Sequence, residues 1–218
     1  MRASGIILAA GRAERFGQDK VFLELLGTPV LLYSVRAFLE AGVEELVVVV
    51  RAGTEFRAAA LLRDLDVSVR VITGGARRRD SALAGVEAAQ GHYVLIHDAA
   101  RPLVSPELIR RVWAAAEKHG AAVPVLPVVD TLRYTENGFL TGQAVPRAGL
   151  VAMQTPQGFR RALLLPALQE CDEDLPDDAA ALLARGIPVA TVPGDPKNLK
   201  LTYPEDLRLA ALFLSCGH

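Results

Sequence analysis

The sequence predicts an α/β fold: a Rossmann-like, mostly parallel sheet with helices on both faces, plus a β-hairpin arm. Short, near-continuous apolar runs alternate with segments of helical period. Strands read that way when helices cover both faces of a parallel sheet. One stretch, Val125 to Gln154, has no helical period and breaks the alternation. The 218 residues are expected to form a single domain spanning 1–218, with the arm at about 127–150.

The elements follow in order. Strands are expected at 5–10, 45–50, 68–72, 93–97, 121–125 and 187–192, where apolar residues dominate short segments between the helical patterns. Helices are expected at 29–41, near 54–63, 79–89, 106–119, 159–170, 178–185 and 204–214. Thr28 reads as the first helix's cap, with Pro29 at its first position. Ser105-Pro106-Glu107 and Tyr203-Pro204-Glu205 are helix starts of the same kind. Within the irregular stretch, residues 128–134 alternate, Glu136-Asn137-Gly138 reads as a turn, and a second run covers Phe139 to Val145. A two-stranded arm is marginal alone and needs a surface to lie on; a second subunit is the natural one.

Composition narrows the function classes. Net charge is −1, so no global field draws the chain to nucleic acid or to a membrane. No apolar run approaches the ~20 residues needed to span a bilayer, and no secretory signal is expected at the N-terminus. Cys171 and Cys216 make neither a CxxC pair nor a metal spacing, so a reduced, cytoplasmic setting is expected. There is no GxSxG elbow and no Cys beside a His, and the four His residues do not cluster. A reaction without an enzyme nucleophile fits best.

In wound sheets, ligands bind beyond the carboxyl ends of the strands. That selects the loops after residues 10, 72, 97 and 192. The first, from Ala9-Ala10-Gly11 to Lys20, leaves backbone N–H groups uncovered and then brings Arg15 and Lys20 to them, a cradle for phosphate. It is not a P-loop: Gly17 follows Gly11 by six residues, and Gln18 stands where Lys is needed. Nor is it GxGxxG, because position 13 is Ala13. The second loop, Thr73 to Ser81, joins two glycines to Arg77-Arg78-Arg79; its glycines could admit a flat base, but by itself it reads better as a helix start with a solvated basic face. The third, His97-Asp98-Ala99-Ala100-Arg101-Pro102, ends a buried strand with a carboxylate able to hold Mg²⁺ and a cation able to hold an anion. The last ends in Lys200. Leu175 to Ala179 reads as an acidic helix cap.

The ordered set AAGRAERFG…K, GGARRRDS, HDAARP, VVDT, QTPQGF, PDDA and NLKLTYPEDL resembles the 2-C-methyl-D-erythritol 4-phosphate cytidylyltransferase family over nearly the whole chain. The resemblance implies a nucleotidyltransferase of the non-mevalonate isoprenoid pathway. It implies CTP, methylerythritol phosphate and Mg²⁺ as reactants and cofactor, and a homodimer made by the arm. Ala9, Ala10 and Gly11 would offer backbone to CTP, and Gly75 and Ser81 would meet cytosine. Arg15 and Lys20 would neutralise the triphosphate and the transition state. Asp98 and Arg101 would hold Mg²⁺ or the acceptor hydroxyls. Arg147 and Lys200 would grip the acceptor phosphate, with Thr131 and Thr155 lining its pocket. Two departures stand out: Ala13 where the family has Gly, and Asp19 where it has Pro before the lysine. Alternatives are a pentitol (ribitol) 5-phosphate cytidylyltransferase, a non-catalytic nucleotide-binding module and an arm-mediated assembly protein.

Overall fold

The computed structural model describes residues 1–11, 19–65 and 67–215. Arg15, Cys216 and His218 lie outside these. Five parallel strands build the frame: β1 (Ala3–Ala9), then, numbered along the whole chain, β4 (Glu45–Val50), β5 (Ser68–Thr73), β6 (Tyr93–Asp98) and β7 (Ala121–Pro127). Between β1 and β4 lies a two-rung ladder of β2 (Glu24–Leu25) and β3 (Thr28–Pro29). The arm is β8 (Leu132–Glu136) and β9 (Phe139–Val145); β10 (Val151–Met153), β11 (Gln157–Arg160) and β12 (Ala190–Pro193) complete the strands. The helices are α1 (Val30–Glu40), α2 (Glu55–Leu62), α3 (Arg78–Ala88), α4 (Pro106–His119), α5 (Arg161–Glu170), α6 (Ala179–Leu183) and α7 (Pro204–Ser215).

The main sheet runs β10-β7-β11-β6-β1-β4-β5, with β12 on the other edge of β7. Pairing of β1 with β4 and β6, of β4 with β5, and of β12 with β7 is parallel. The chain builds outward from β1 through β4 to β5, then crosses back to β6 on the far side of β1. That reversal opens a crevice at the carboxyl ends of β1 and β6.

Alternation along the strands divides the core. Ile7, Leu46, Val48 and Leu95 face α1, α2 and α4, where Phe38, Leu62 and Val112 meet them. Ile6, Val47, Val49, Val94 and Ile96 face α3, α5 and α6. A third, smaller cluster joins Leu25, Val30, Leu201 and Ala210 of α7.

Several expected boundaries move. Helix α1 begins at Val30, because Thr28 and Pro29 are occupied by the ladder with Glu24 and Leu25; Pro29 is its cap and makes no side-chain cap bond. The helix expected from 159 begins at Arg161, because Gln157–Arg160 is a strand. This strand, β11, lies antiparallel between β6 and β7 and buries Phe159 completely. The strand expected at 187–192 begins at Ala190. The hairpin turn falls at Asn137 and Gly138, both at positive φ (50° and 83°), as an Asn-Gly turn requires. The whole arm leaves and re-enters the sheet at one rung, where Pro127 pairs with Val151. No helix among the described residues is long and apolar enough to cross a membrane.

Gly5 sits under Phe38 and Leu46, whose side-chain carbons would stand 2.5 and 2.6 Å from any added Cβ. Gly5→Ala therefore overpacks the centre of the sheet. Its urea midpoint should fall, at unchanged slope, by an amount equal to about 1–3 kcal/mol.

Candidate active site

The crevice at the end of β1 is a cleft of about 340 Å³. Leu8, Ala9, Ala10 and Gly11 form its floor; Gly75, Ala76, Arg77, Arg78 and Ser81 form one wall; Lys20, Asp98, Ala100 and Lys200 close the other side. The loops selected after β1, β5 and β6, together with Lys200, thus meet in one place. The structure brings together Ala9, Ala10, Gly11, Lys20, Gly75, Ser81, Asp98 and Lys200. Arg15 lies outside the described residues.

Sterics shape the wall after β5. A Cβ on Gly74 would come within 2.6 Å of Ser81 Oγ and 2.9 Å of Ala10 Cβ, so glycine lets the loop close onto the floor. The Ser81 hydroxyl is turned inward, donating to the Arg77 carbonyl at 3.2 Å. The three arginines do not form a solvated face. Arg77 is the extended residue before the helix, and Arg78 and Arg79 are its first two residues, about 100° apart, so the three guanidiniums take different paths. Arg77 folds back onto Asp80 (2.9 and 3.0 Å). Arg79 is buried and donates to the Leu168 carbonyl of α5 at 2.6 Å. Arg78 turns into the cleft.

Arg78 lies between two carboxylates. It pairs bidentately with Asp178 (2.8 and 3.0 Å) and reaches Asp98 at 3.4 Å. Lys200 Nζ meets the other Asp98 oxygen at 2.7 Å. Asp178 is 1% exposed and Asp98 13%, so Asp98 is the one that a ligand can meet. Burial pushes the Asp98 carboxyl up, but Arg78, Lys200 and Arg101 outweigh it and hold it well below the usual carboxylate range. Asp178 goes the other way: burial raises its pKa, and Arg78 offsets only part of that. Neither Arg78 nor Asp178 stood out in the sequence. The PDDA cap is real but belongs to Asp177, whose Oδ1 accepts the Ala180 N–H at 3.0 Å.

Behind Asp98, a hydrogen-bond chain fixes the strand end. The Asp98 N–H donates to Thr155 Oγ1 (3.1 Å). Thr155 lies 2.9 Å from His97 Nδ1, and His97 Nε2 lies 3.1 Å from the Arg101 carbonyl. The consistent arrangement has the Thr155 hydroxyl donating to Nδ1 and a neutral imidazole donating from Nε2. Asn198 Nδ2 donates to the Thr155 carbonyl (2.8 Å), and Arg101 donates to the Asn198 carbonyl (2.8 Å). Thr155 and Arg101 therefore stand behind the cleft rather than lining it, with the Thr155 hydroxyl spent on the protein. Burial pushes His97 down to about 4.

Lys20 donates to the Leu201 carbonyl at 2.6 Å. Asp19 beside it pairs with Arg51 at 2.9 Å, so the residue standing in place of Pro ties this turn to the end of β4. Thr131 and Arg147 are not among the described residues lining the cleft. Both stand at the base of the arm, where Arg147 donates to the Val129 carbonyl. Among the described residues no group of three His, Cys, Asp or Glu forms a metal cage.

The sequence profile of the 2-C-methyl-D-erythritol 4-phosphate cytidylyltransferase family matches residues 4–216. The chain is 42% identical over 233 residues to 2-C-methyl-D-erythritol 4-phosphate cytidylyltransferase of Acidobacterium capsulatum, covering 98% of each. It is also 42% identical to the bifunctional enzyme IspD/IspF of Anaeromyxobacter sp., covering 98% of this chain but spanning only 57% of that relative. The crystal structure of 2-C-methyl-D-erythritol 4-phosphate cytidylyltransferase from Thermus thermophilus superposes with a TM-score of 0.84 at 38% identity. That match covers 99% of this chain and 100% of the other.

The His97 shift has a stability consequence. Between pH 6.5 and about 4 the unfolded imidazole takes a proton that the folded one refuses. Native stability is thus fully present above pH 6.5 and is lost as pH falls through that window, by up to about 1.4 kcal/mol per pH unit. Urea titrations at about pH 4.5 to 7 should show a shallower slope for His97→Asn than for the native chain.

Proposed function

This chain belongs to the 2-C-methyl-D-erythritol 4-phosphate cytidylyltransferase family, and from that premise we propose that its cleft joins CTP to methylerythritol phosphate and releases pyrophosphate. The observation that carries the residue-level reading is the convergence of Lys20, Arg78, Asp98 and Lys200 on the glycine-edged floor at the end of β1.

A phosphate oxygen of methylerythritol phosphate attacks the α-phosphorus of CTP in line. The new P–O bond forms as the α-phosphorus parts from its bridging oxygen, and pyrophosphate leaves with the electron pair. The nucleophile is already an anion, so no general base is required. Catalysis then rests on positioning and on cations set where negative charge grows. The Ala9–Gly11 backbone and the wall at Gly75 and Ser81 hold the nucleotide. Lys20 faces the triphosphate, to which the family resemblance also assigns Arg15, and Lys200 faces the acceptor phosphate. In this reading Lys200 exchanges its contact with Asp98 for substrate.

Mg²⁺ fits as a passenger of the nucleotide. Among the described residues lining the cleft, Asp98 is the one carboxylate. Magnesium is commonly held by one or two carboxylates plus phosphate oxygens, and Asp98 would supply that ligand. When bound, the ion would offset charge on the triphosphate and the departing pyrophosphate.

Arg147 and Thr131 reach an acceptor only if the arm crosses to a second subunit. The arm supports this: Val129, Tyr134, Phe139 and Leu140 are each 70% exposed or more. Apolar side chains at that density on an isolated hairpin are expected to be covered. We therefore place a twofold homodimer at the arm, acting in the cytoplasm, with Arg147 gripping the acceptor phosphate across the interface.

A pyrophosphate-release assay with four nucleoside triphosphates and two acceptors, methylerythritol phosphate and ribitol 5-phosphate, tests the reaction. CTP with methylerythritol phosphate should dominate; a faster reaction with ribitol phosphate would reassign the acceptor. Lys20→Ala should lower turnover by roughly 10²–10³, and Arg147→Ala should mainly raise KM for the acceptor. Light scattering should give a dimer for the native chain and a monomer for Phe139→Asp combined with Leu140→Asp. A native monomer would remove the arm's proposed role.

A further inference from the structure

The peptide group between Leu201 and Thr202 is held from both ends by charged side chains. Its carbonyl oxygen accepts the Lys20 ammonium at 2.6 Å. Its N–H donates to Asp206 Oδ2 at 2.6 Å. In a trans peptide these groups point in opposite directions, so the order is carboxylate, N–H, C=O, ammonium. The carboxylate draws on the N–H and enriches the carbonyl oxygen, and the ammonium draws on the carbonyl and sharpens the N–H. Hydrogen bonds chained through one peptide reinforce each other in this way.

Other contacts set the orientation of this peptide. Asp206 Oδ2 also accepts the Tyr203 N–H at 2.8 Å, and the Asp206 N–H donates to the Tyr203 carbonyl at 3.1 Å. These close the turn that opens α7. The Leu201 N–H donates to the Ala100 carbonyl at 2.8 Å, tying the same turn to the loop that carries Asp98. Thr202 Oγ1 donates to the Lys200 carbonyl at 3.1 Å. The Leu201 side chain is fully buried in the small third cluster beside Ala210. Helix α7 contributes no residue to the cleft, yet its first turn supplies the charge behind this peptide.

We infer that Asp206 is a positioning residue for Lys20: acting through the Leu201–Thr202 peptide, it aims the carbonyl that holds the ammonium at the mouth of the cleft. This rests on the reading above that Lys20 serves phosphoryl transfer. An aspartate here does more than start a helix. Asn in its place keeps an acceptor oxygen for the two N–H groups but removes the charge that polarises the peptide.

The test is a double-mutant cycle on turnover and on CTP affinity, with thermal melting as the check on folding. In the native background Asp206→Ala should lower kcat roughly tenfold, and Asp206→Asn should lower it about threefold. In a Lys20→Ala background both effects should vanish, because the group being aimed is gone. A purely structural cap would lower turnover by the same factor in both backgrounds, and that result overturns the inference. So does Asp206→Ala turning over within twofold of native below its melting temperature. Should Asp206→Ala not fold, the same comparison is read from Asp206→Asn, whose loss must disappear in the Lys20→Ala background. Near-native turnover of Lys20→Ala alone is a separate outcome: it removes the role of Lys20 in the reaction, and the inference with it.

Discussion

Cations that converge on one cleft must first tolerate one another. Two like charges 4 Å apart cost about 4 kcal/mol in a half-screened environment, and here Lys200 and Arg78 converge with Arg101 behind them. Asp98 makes this possible. Its two oxygens stand between Lys200 and Arg78, and Asp178 takes the rest of the Arg78 guanidinium from below. The cleft is thus preassembled around its own anion, and the surrounding structure serves to keep that anion in place. The β6 strand ends at Asp98, Thr155 accepts its N–H, and His97 and Asn198 brace Thr155 from either side.

The frame was legible because it rests on local regularities. Apolar runs such as Leu46–Val50 cannot sit anywhere but inside, and Ser105-Pro106-Glu107 starts a helix with a cap that the structure contains: Ser105 Oγ accepts the Leu108 N–H at 3.2 Å. The rule that ligands gather at strand ends picked out loops that do meet. Strand β11 was not legible. Its four residues include a glycine and follow a proline, and only the gap between β6 and β7 makes them a strand.

The part of the site that escaped sequence reading is the part built from long-range pairs. Arg78 and Asp178 are 100 residues apart, and nothing in either neighbourhood names the other. A run of three arginines read as a solvated face because composition carries no direction. The extended Arg77 folds onto Asp80, and the helical step sends Arg78 into the cleft and Arg79 beneath α5, where it also reaches Asp80. Thr155 belongs to the same class of long-range pair: its hydroxyl accepts the Asp98 N–H across 57 residues of sequence.

The single-rung exit of the arm has an evolutionary consequence. Because Pro127 and Val151 already face each other across the ladder, the residues between them form a loop whose ends the core closes without their help. Lengthening such a loop carries only a slow, logarithmic entropic penalty. The hairpin is therefore a cassette: its length, turn and exposed side chains can drift, or be exchanged between homologous chains, while the sheet and its anion stay untouched. Under the proposed reading that freedom stops at the base of the arm, where Thr131 and Arg147 serve the acceptor.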